Sequence, residues 1–211
     1  MNPAALNDAL IAQALRPYGV NSTPQLSEAI RTYVDLLLRW NKKIALTTVT
    51  NPEEILRFHF GESMFAVSQI PIRHGRLADV GTGAGFPAVP IRMVVPDLEC
   101  ILIESNQKKA TFLAEVVRTL ELDGIEVYRG RMESYPASSQ LLDFSISRAL
   151  GMHENFLSWS VERLNPSGKV IMWLGDNDAS EILANTSWIW DRTLKIPNSQ
   201  HRVLLMGSKR A

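Results

Sequence analysis

From Leu77 onward the chain alternates short apolar runs with amphipathic segments, and no other feature restricts its fold as tightly. Leu77-Ala78-Asp79-Val80, Leu98 to Glu104, Ile125 to Tyr128, Phe144 to Ser147 and Lys169 to Leu174 have the length and composition of buried strands. Between them lie three helical segments: Pro87 to Val95, His153 to Leu164, and Lys108 to Leu122 with its stripe of Leu113, Val116, Val117 and Leu120. Strands separated by helices require crossover connections. The pattern therefore predicts an α/β fold with a mostly parallel sheet and helices on both faces. Asn165-Pro166-Ser167-Gly168 reads as a turn before the fifth strand. Ser187 to Lys195 and Arg202 to Met206, joined through Pro197-Asn198-Ser199, read as a closing antiparallel hairpin.

The chain before Leu77 has a different rhythm. Ile30, Val34, Leu37 and Leu38 recur at helical spacing, with Tyr33 and Trp40 beside them, and Thr23-Pro24 supplies an N-cap followed by proline in the first turn. A second helix is expected from Asn51-Pro52-Glu53-Glu54, where Asn caps and the carboxylates suit the positive helix end. Residues 1–70 are thus expected to form a helical extension packed on a core domain of residues 71–211.

Composition narrows the class further. A single cysteine, Cys100, forms no intramolecular disulfide, and the chain has no CxxC or HxxxH spacing, so a reducing cytoplasm and no metal are expected. The first residues lack a basic segment followed by an apolar core, and no stretch approaches the roughly 20 apolar residues of a membrane span. Lys+Arg and Asp+Glu balance at 22 each. A protein that grips nucleic acid over its whole surface is usually basic, so any such contact must be local.

The densest chemical signal is Asp79-Val80-Gly81-Thr82-Gly83-Ala84-Gly85-Phe86-Pro87, at the junction of the first strand and first core helix. Glycines there let the backbone turn sharply and admit a ligand closely. The spacing is G-x-G-x-G after an acid, without the Lys of a P-loop, and it differs from the G-x-G-x-x-G of nicotinamide-dependent oxidoreductases. An acid before the turn suits a cationic ligand such as S-adenosylmethionine. Glu104 ends the second strand, where a carboxylate can accept from both hydroxyls of a ribose. Gly130-Arg131-Met132-Glu133 follows the third strand and Ser147-Arg148-Ala149 ends the fourth. Each of these alone is an ordinary turn, solvated charge or packing residue. Their order, with a second acid one β-α-β unit after the glycines, points to a nucleoside-cofactor site at the carboxyl ends of the strands.

At these residues the sequence resembles the RsmG (GidB) family, methyltransferases that act on N7 of a guanine in small-subunit (16S) ribosomal RNA. The likeness runs from about Leu36 to Leu205. It is carried by Arg39-Trp40-Asn41-Lys42-Lys43 with Leu46-Thr47, His59 with Ser63, the glycine segment continuing to Pro90, Leu102-Ile103-Glu104-Ser105 with Lys108-Lys109 and Phe112-Leu113, and Ser147-Arg148-Ala149. The resemblance implies a Rossmann-like class I methyltransferase sheet whose C-terminal strand is antiparallel. It also implies S-adenosylmethionine contacts from Gly81 and Phe86, an adenine bordered by Met132 and Glu133, and a pocket role for Arg148. With Asp79, Gly83, Gly85 and Glu104 these make up the expected cofactor site. The N-terminal helices would pack on the domain and help to dock RNA.

The sequence departs from the family at Ala45, Phe58 and Gly61-Glu62, at Glu104 for the usual Asp, at Leu174 for a Lys before Gly175, and at Gln200 for an Arg. Two alternatives remain open at this point: an assembly factor with the fold but little turnover, and a small-molecule methyltransferase.

Guanine N7 carries an in-plane lone pair and no proton, so no catalytic base is expected, and the sequence offers none; proximity and alignment would do the work. Phe86 and His59 are candidates to stack on the base. Arg39 with Lys42-Lys43, Lys108-Lys109, Arg129 with Arg131, and Lys209-Arg210 are the cationic segments that could meet RNA. The chain is expected to be a cytoplasmic monomer that acts on 16S ribosomal RNA or a small ribosomal subunit, away from membranes, and its neutral charge implies that an assembled particle supplies part of the recognition.

Overall fold

The computed structural model describes residues 6–136, 140–148 and 150–210. Helix α1 (Asp8–Leu15) is capped by Asn7, whose side chain accepts from the Leu10 amide, and α2 (Pro24–Asn41) by Thr23, which accepts from the Leu26 amide. Asn51 caps α3 (Pro52–Ile55) through the amides of Glu53 and Glu54. The chain then passes through a π-helical turn, Leu56–Gly61, directly into α4 (Glu62–Gln69). Such a turn holds an extra residue per turn and is common beside functional sites. Gly61 lies where a Cβ would collide with the ring of Tyr18, so its lack of a side chain lets Tyr18 pack there.

The remaining elements are β1 (Gly75–Val80), α5 (Ala88–Val94), β2 (Leu98–Glu104), α6 (Gln107–Thr119), β3 (Ile125–Arg129), β4 (Leu142–Arg148), α7 (His153–Arg163), β5 (Leu164–Gly175), α8 (Asp176–Leu183), β6 (Trp188–Trp190), β7 (Leu194–Lys195) and β8 (Arg202–Lys209). The sheet runs β3-β2-β1-β4-β5-β8-β6. β1 to β5 are parallel, and β8 runs antiparallel to both β5 and β6. This is the expected mostly parallel Rossmann-like sheet closed by an antiparallel strand.

Alternation along the strands divides the interior. Leu77, Leu102, Ile146 and Ile171 face α2, α4, α5 and α6, in one cluster that also takes in Ile30, Val34 and Leu37 of the N-terminal helices. Ala78, Val80, Ile101, Ile103 and Met172 face α7 and α8. The N-terminal helices thus share a core with the sheet. Strand order reverses on either side of β1, and at such a switch point open α/β sheets hold ligands at their carboxyl edge.

Four details correct the sequence reading. The helix expected to reach Leu122 ends at Thr119, and Glu121 turns the chain with φ 50°. Asn165-Pro166-Ser167-Gly168 is a bulge within β5: pairing jumps from Leu142↔Leu164 to Phe144↔Lys169, and Asn165 Nδ2 donates to Asp143 Oδ1 at 2.8 Å. The single strand expected over Ser187 to Lys195 is two, β6 and β7, both paired with β8. Their register slips by one residue between Trp190↔Gly207 and Leu194↔Leu204. Helix α8 was not anticipated, because its apolar positions Ala179, Ile182 and Leu183, though at helical spacing, are only three among acidic and polar residues. Among the described residues no helix is long and apolar enough to cross a membrane.

Candidate functional site

The glycine turn is built from its own sequence. Gly81 leaves β1 with φ 70° and donates to the Ile103 carbonyl at 2.9 Å, so the turn hangs on β2 as well as β1. Asp79 is fully buried. Its Oδ2 accepts from the Thr82 hydroxyl at 2.7 Å and from the Ala88 amide at 3.1 Å, which ties the two ends of the turn together at the start of α5. Oδ1 is buried without a hydrogen-bond partner, and burial pushes the carboxyl up to about 7 against the pull of those two donors.

Glu104, 6% exposed at the end of β2, holds the facing loops. Its Oε2 accepts from the Gly83 amide at 3.0 Å and its Oε1 from the Asn106 amide at 2.7 Å. One lone pair on each oxygen remains for a further donor. Beyond it, a cleft of about 230 Å³ lies against Gly81, Ile103, Ser105, Gly130, Met132 and Glu133, with Leu150 and Met152 on its other side. A Cβ on Gly81 would come within 2.6 Å of the Leu150 side chain, so glycine keeps this side of the cleft open.

Behind the turn stands an aromatic stack that reaches in from the N-terminal helices. Tyr33 of α2, completely buried, donates its hydroxyl to the Ala84 carbonyl and lies parallel to Phe86 at 5.2 Å. His59 covers the other face of Phe86 at 4.7 Å, and Phe60 meets both Tyr33 and Phe86 edge-on. Both faces of Phe86 are therefore occupied, which removes it as a stacking partner for a base. His59 has one face on Phe86 and its Nε2 shares a 2.8 Å hydrogen bond with Thr47 Oγ1. Burial, with Arg148 and Arg202 nearby, lowers its pKa to about 3, so it is neutral. Tyr33→Phe would keep the stack and orphan the Ala84 carbonyl. A loss of about 1–2 kcal/mol in urea unfolding is expected, together with weaker binding of any ligand that needs the turn; wild-type values for both would dismiss the clamp.

To the β4 side, Glu62 of α4 is 1% exposed and joins two arginines. Its Oε2 accepts from Arg148 Nη2 at 3.1 Å, and its Oε1 pairs with Arg202 Nη2 at 2.6 Å. Burial raises the Glu62 pKa and lowers that of Arg148, each opposed by the other's charge. Trp173 Nε1 donates to the Glu62 carbonyl at 2.7 Å, and the Arg202 guanidinium lies 4.9 Å from the centre of the Phe58 ring. At position 58, where the family usually has Arg, this chain thus presents a ring to a cation carried by β8. Leu174 is 5% exposed in the core under α7 and α8.

Of the residues expected from sequence, Gly81, Met132 and Glu133 line the cleft, and Glu104 with Gly83 adjoins it. Asp79, Gly85 and Phe86 lie behind the turn and shape it, while Arg148 stands with Glu62. Ala149 lies outside the described residues. Sequence reasoning missed Tyr33, Glu62 and Arg202 as parts of the site. Tyr33 sits in an apolar helical stripe and reads as core, and nothing local marks Glu62 and Arg202 as partners. Among the described residues no three His, Cys, Asp or Glu side chains gather as metal ligands.

Comparison with known proteins places this geometry. The family model described as GidB, rRNA small subunit methyltransferase G, matches residues 26–201. A ribosomal RNA small subunit methyltransferase G from Pseudomonas fluorescens (strain Pf0-1) is 33% identical over 174 residues, 82% of this chain and 80% of the relative. A protein of the same name from Desulfitobacterium hafniense (strain Y51) is 33% identical over 159 residues, 74% of this chain and 66% of the relative. In structure, the chain is similar to a ribosomal protein L11 methylase from Lactobacillus delbrueckii subsp. bulgaricus, with a TM-score of 0.62 and 16% identity over 74% of this chain and 80% of that one. That last likeness bears on the fold.

Proposed function

The chain belongs to the rRNA small subunit methyltransferase G family, and from that premise we propose that it transfers a methyl group from S-adenosylmethionine to N7 of a guanine in 16S ribosomal RNA. The observation that carries the reading is the cleft at the carboxyl edge, where the glycine turn, the strand-end acid Glu104 and the Met132-Glu133 turn meet. S-adenosylmethionine supplies an electrophilic methyl group on a sulfonium.

The residues present fit such a ligand. Gly81 leaves backbone exposed at the cleft, and the Glu104 oxygens each retain a lone pair suited to ribose hydroxyls. Met132 offers an apolar surface and Glu133 an acceptor beside an adenine. Arg148 keeps a buried Nη1 without a partner, a donor suited to the ligand's carboxylate. Gly85 and Phe86 act one step back, where they hold the turn against Tyr33; Asp79 does so through Thr82 and Ala88.

No base is required of this chain. Guanine N7 attacks with a lone pair already in the ring plane, and the protein's task is to align two partners and exclude water. Its neutral charge favours RNA presented in an assembled particle that supplies part of the recognition.

Radiolabelled S-adenosylmethionine, mixed with small ribosomal subunits from a strain lacking this protein, should label 16S ribosomal RNA at one guanine N7. Label confined to small metabolites, or cofactor binding without transfer, would overturn the reading. Arg148→Ala should fold, because Glu62 keeps Arg202 as its partner. It should bind S-adenosylhomocysteine at least about tenfold more weakly by calorimetry, the equivalent of roughly 1.4 kcal/mol. Unchanged affinity would remove Arg148 from the pocket.

A further inference from the structure

The chain is neutral overall, yet two of its cationic segments are adjacent lysines without an acidic partner among the described residues. Arg31, Arg39, Arg57, Arg148 and Arg202 all pair with carboxylates. Lys42 and Lys43, just past α2, and Lys108 in the first turn of α6 are exposed, its neighbour Lys109 is half-buried, and none of the four makes an ion pair among the described residues.

The placement of Lys108 and Lys109 conflicts with helix stability. A helix begins at its positive end, where acidic residues are favoured and cations cost stability. Helices α1, α3, α4, α7 and α8 obey this rule with Asp8, Glu53, Glu62, Glu154 and Asp176 in their first turns. α6 breaks it, with two lysines and no acid in that turn. Its own folding does not account for them.

A groove between α2 and α6 holds the first pair. About 390 Å³ in volume, it is lined by Arg39, Trp40, Lys42 and Lys43 on the α2 side and Glu115 on the α6 side. Trp40 fixes the two helices together: its indole N–H donates to Glu115 Oε2 at 2.9 Å and its ring packs on Phe112 at 5.8 Å. That bond engages the one acid in the groove. Lys108 precedes Glu115 by seven residues, two helical turns, and so lies on the same face of α6, about 10 Å nearer the helix start. That start follows Glu104 and Asn106, at the rim of the cofactor cleft. The groove and the two lysine pairs therefore form one cationic strip that ends at the reacting edge of the sheet.

We propose that this strip carries the sugar-phosphate backbone of the RNA strand flanking the target guanine, an inference that rests on the function proposed above. A strip of separate, unpaired ammonium groups suits evenly spaced phosphates. It also explains how a chain with 22 basic and 22 acidic residues can hold RNA.

The test uses the full chain with Lys42→Glu/Lys43→Glu, with Lys108→Glu/Lys109→Glu, and with Arg118→Glu as control, an exposed cation at the opposite end of α6. Each double variant should raise KM for small subunits at least about tenfold while kcat and S-adenosylhomocysteine affinity stay at wild-type values. Each should also flatten the log–log salt dependence of RNA binding by about 1.4, from about 0.7 per phosphate contact on a single strand. Arg118→Glu should change none of these. Wild-type KM in both double variants, or an equal change in Arg118→Glu, would overturn the strip. If the wild-type protein transfers no methyl group to RNA, filter binding of 16S RNA by the same proteins still decides. RNA held by the wild type and released by the double variants keeps the strip while the methyl-transfer reading falls; equal binding, or none, ends both.

Discussion

Glu62→Ala is expected to cost about 3 kcal/mol of stability, near the lower end of the usual penalty for removing one partner from a buried ion pair. Glu62 is the only carboxylate paired with either Arg148 or Arg202 among the described residues. The two arginines would respond differently to its loss. Arg202 is 40% exposed and already rests on Phe58, so it can turn toward water. Arg148 is 16% exposed, with one Nη already buried and unpartnered, and has no such exit. The penalty is therefore mostly that of a stranded Arg148, and the melting temperature should fall by about 6–12 °C. Adding Arg148→Ala to Glu62→Ala should restore most of the loss, because the charge that lacked a partner is gone. A single Glu62→Ala variant with a wild-type urea midpoint would show that the triad does not hold this edge together. So would a double variant no more stable than the single one.

The triad matters because of what it joins. Glu62 begins α4, Arg148 ends β4, and Arg202 begins β8. The same corner receives the Trp173 indole on the Glu62 carbonyl and lies one turn from His59. With the Tyr33 bond to Ala84, it gives the N-terminal helices two anchors on the ligand edge of the sheet, one on the glycine turn and one beside β4. The helices before Leu77 are therefore part of the site's construction as well as of its core.

That dependence also explains what could and could not be read from the sequence. The strands of the parallel sheet announce themselves because burial on both faces makes them short apolar runs, and their order with the helices places Asp79, Glu104 and Arg148 at one edge. Caps such as Thr23 and Asn51 were legible because they act on amides two or three residues away. Tyr33 and Ala84, or Glu62 and Arg202, meet only after the chain has folded, and no spacing in the sequence encodes such distant pairs. The break between β6 and β7 escaped notice for a related reason, since it is set by a register slip against β8. The direction of the Asp79 carboxylate was hidden too. An acid before a glycine turn reads as a ligand group, whereas here one oxygen secures the turn and the other is enclosed.

Asp79 should therefore leave its mark on how stability changes with pH. In the unfolded chain its carboxyl titrates near 3.8, and in the folded protein burial raises this to about 7. Between those values the folded state keeps a proton that the unfolded state has released. The stabilisation is complete below about 3.8 and is lost as pH rises through 7, at about 1.4 kcal/mol per unit and on the order of 4 kcal/mol in all. The geometry agrees: Oδ2 takes both hydrogen bonds, and Oδ1, with no donor near it, is the oxygen that can carry the proton. Asp79→Asn resembles the protonated acid in shape and in its remaining acceptor, and it does not titrate. The difference in unfolding free energy, wild type minus Asn, should fall by about 2–3 kcal/mol between pH 5 and pH 7 and level off above about pH 8. Taking the difference cancels Glu62 and every other group common to both proteins. Urea unfolding followed by tryptophan fluorescence at each pH would supply it. Parallel curves over that range would mean that Asp79 is already ionised in the folded protein at pH 5, with its enclosed oxygen satisfied by a donor.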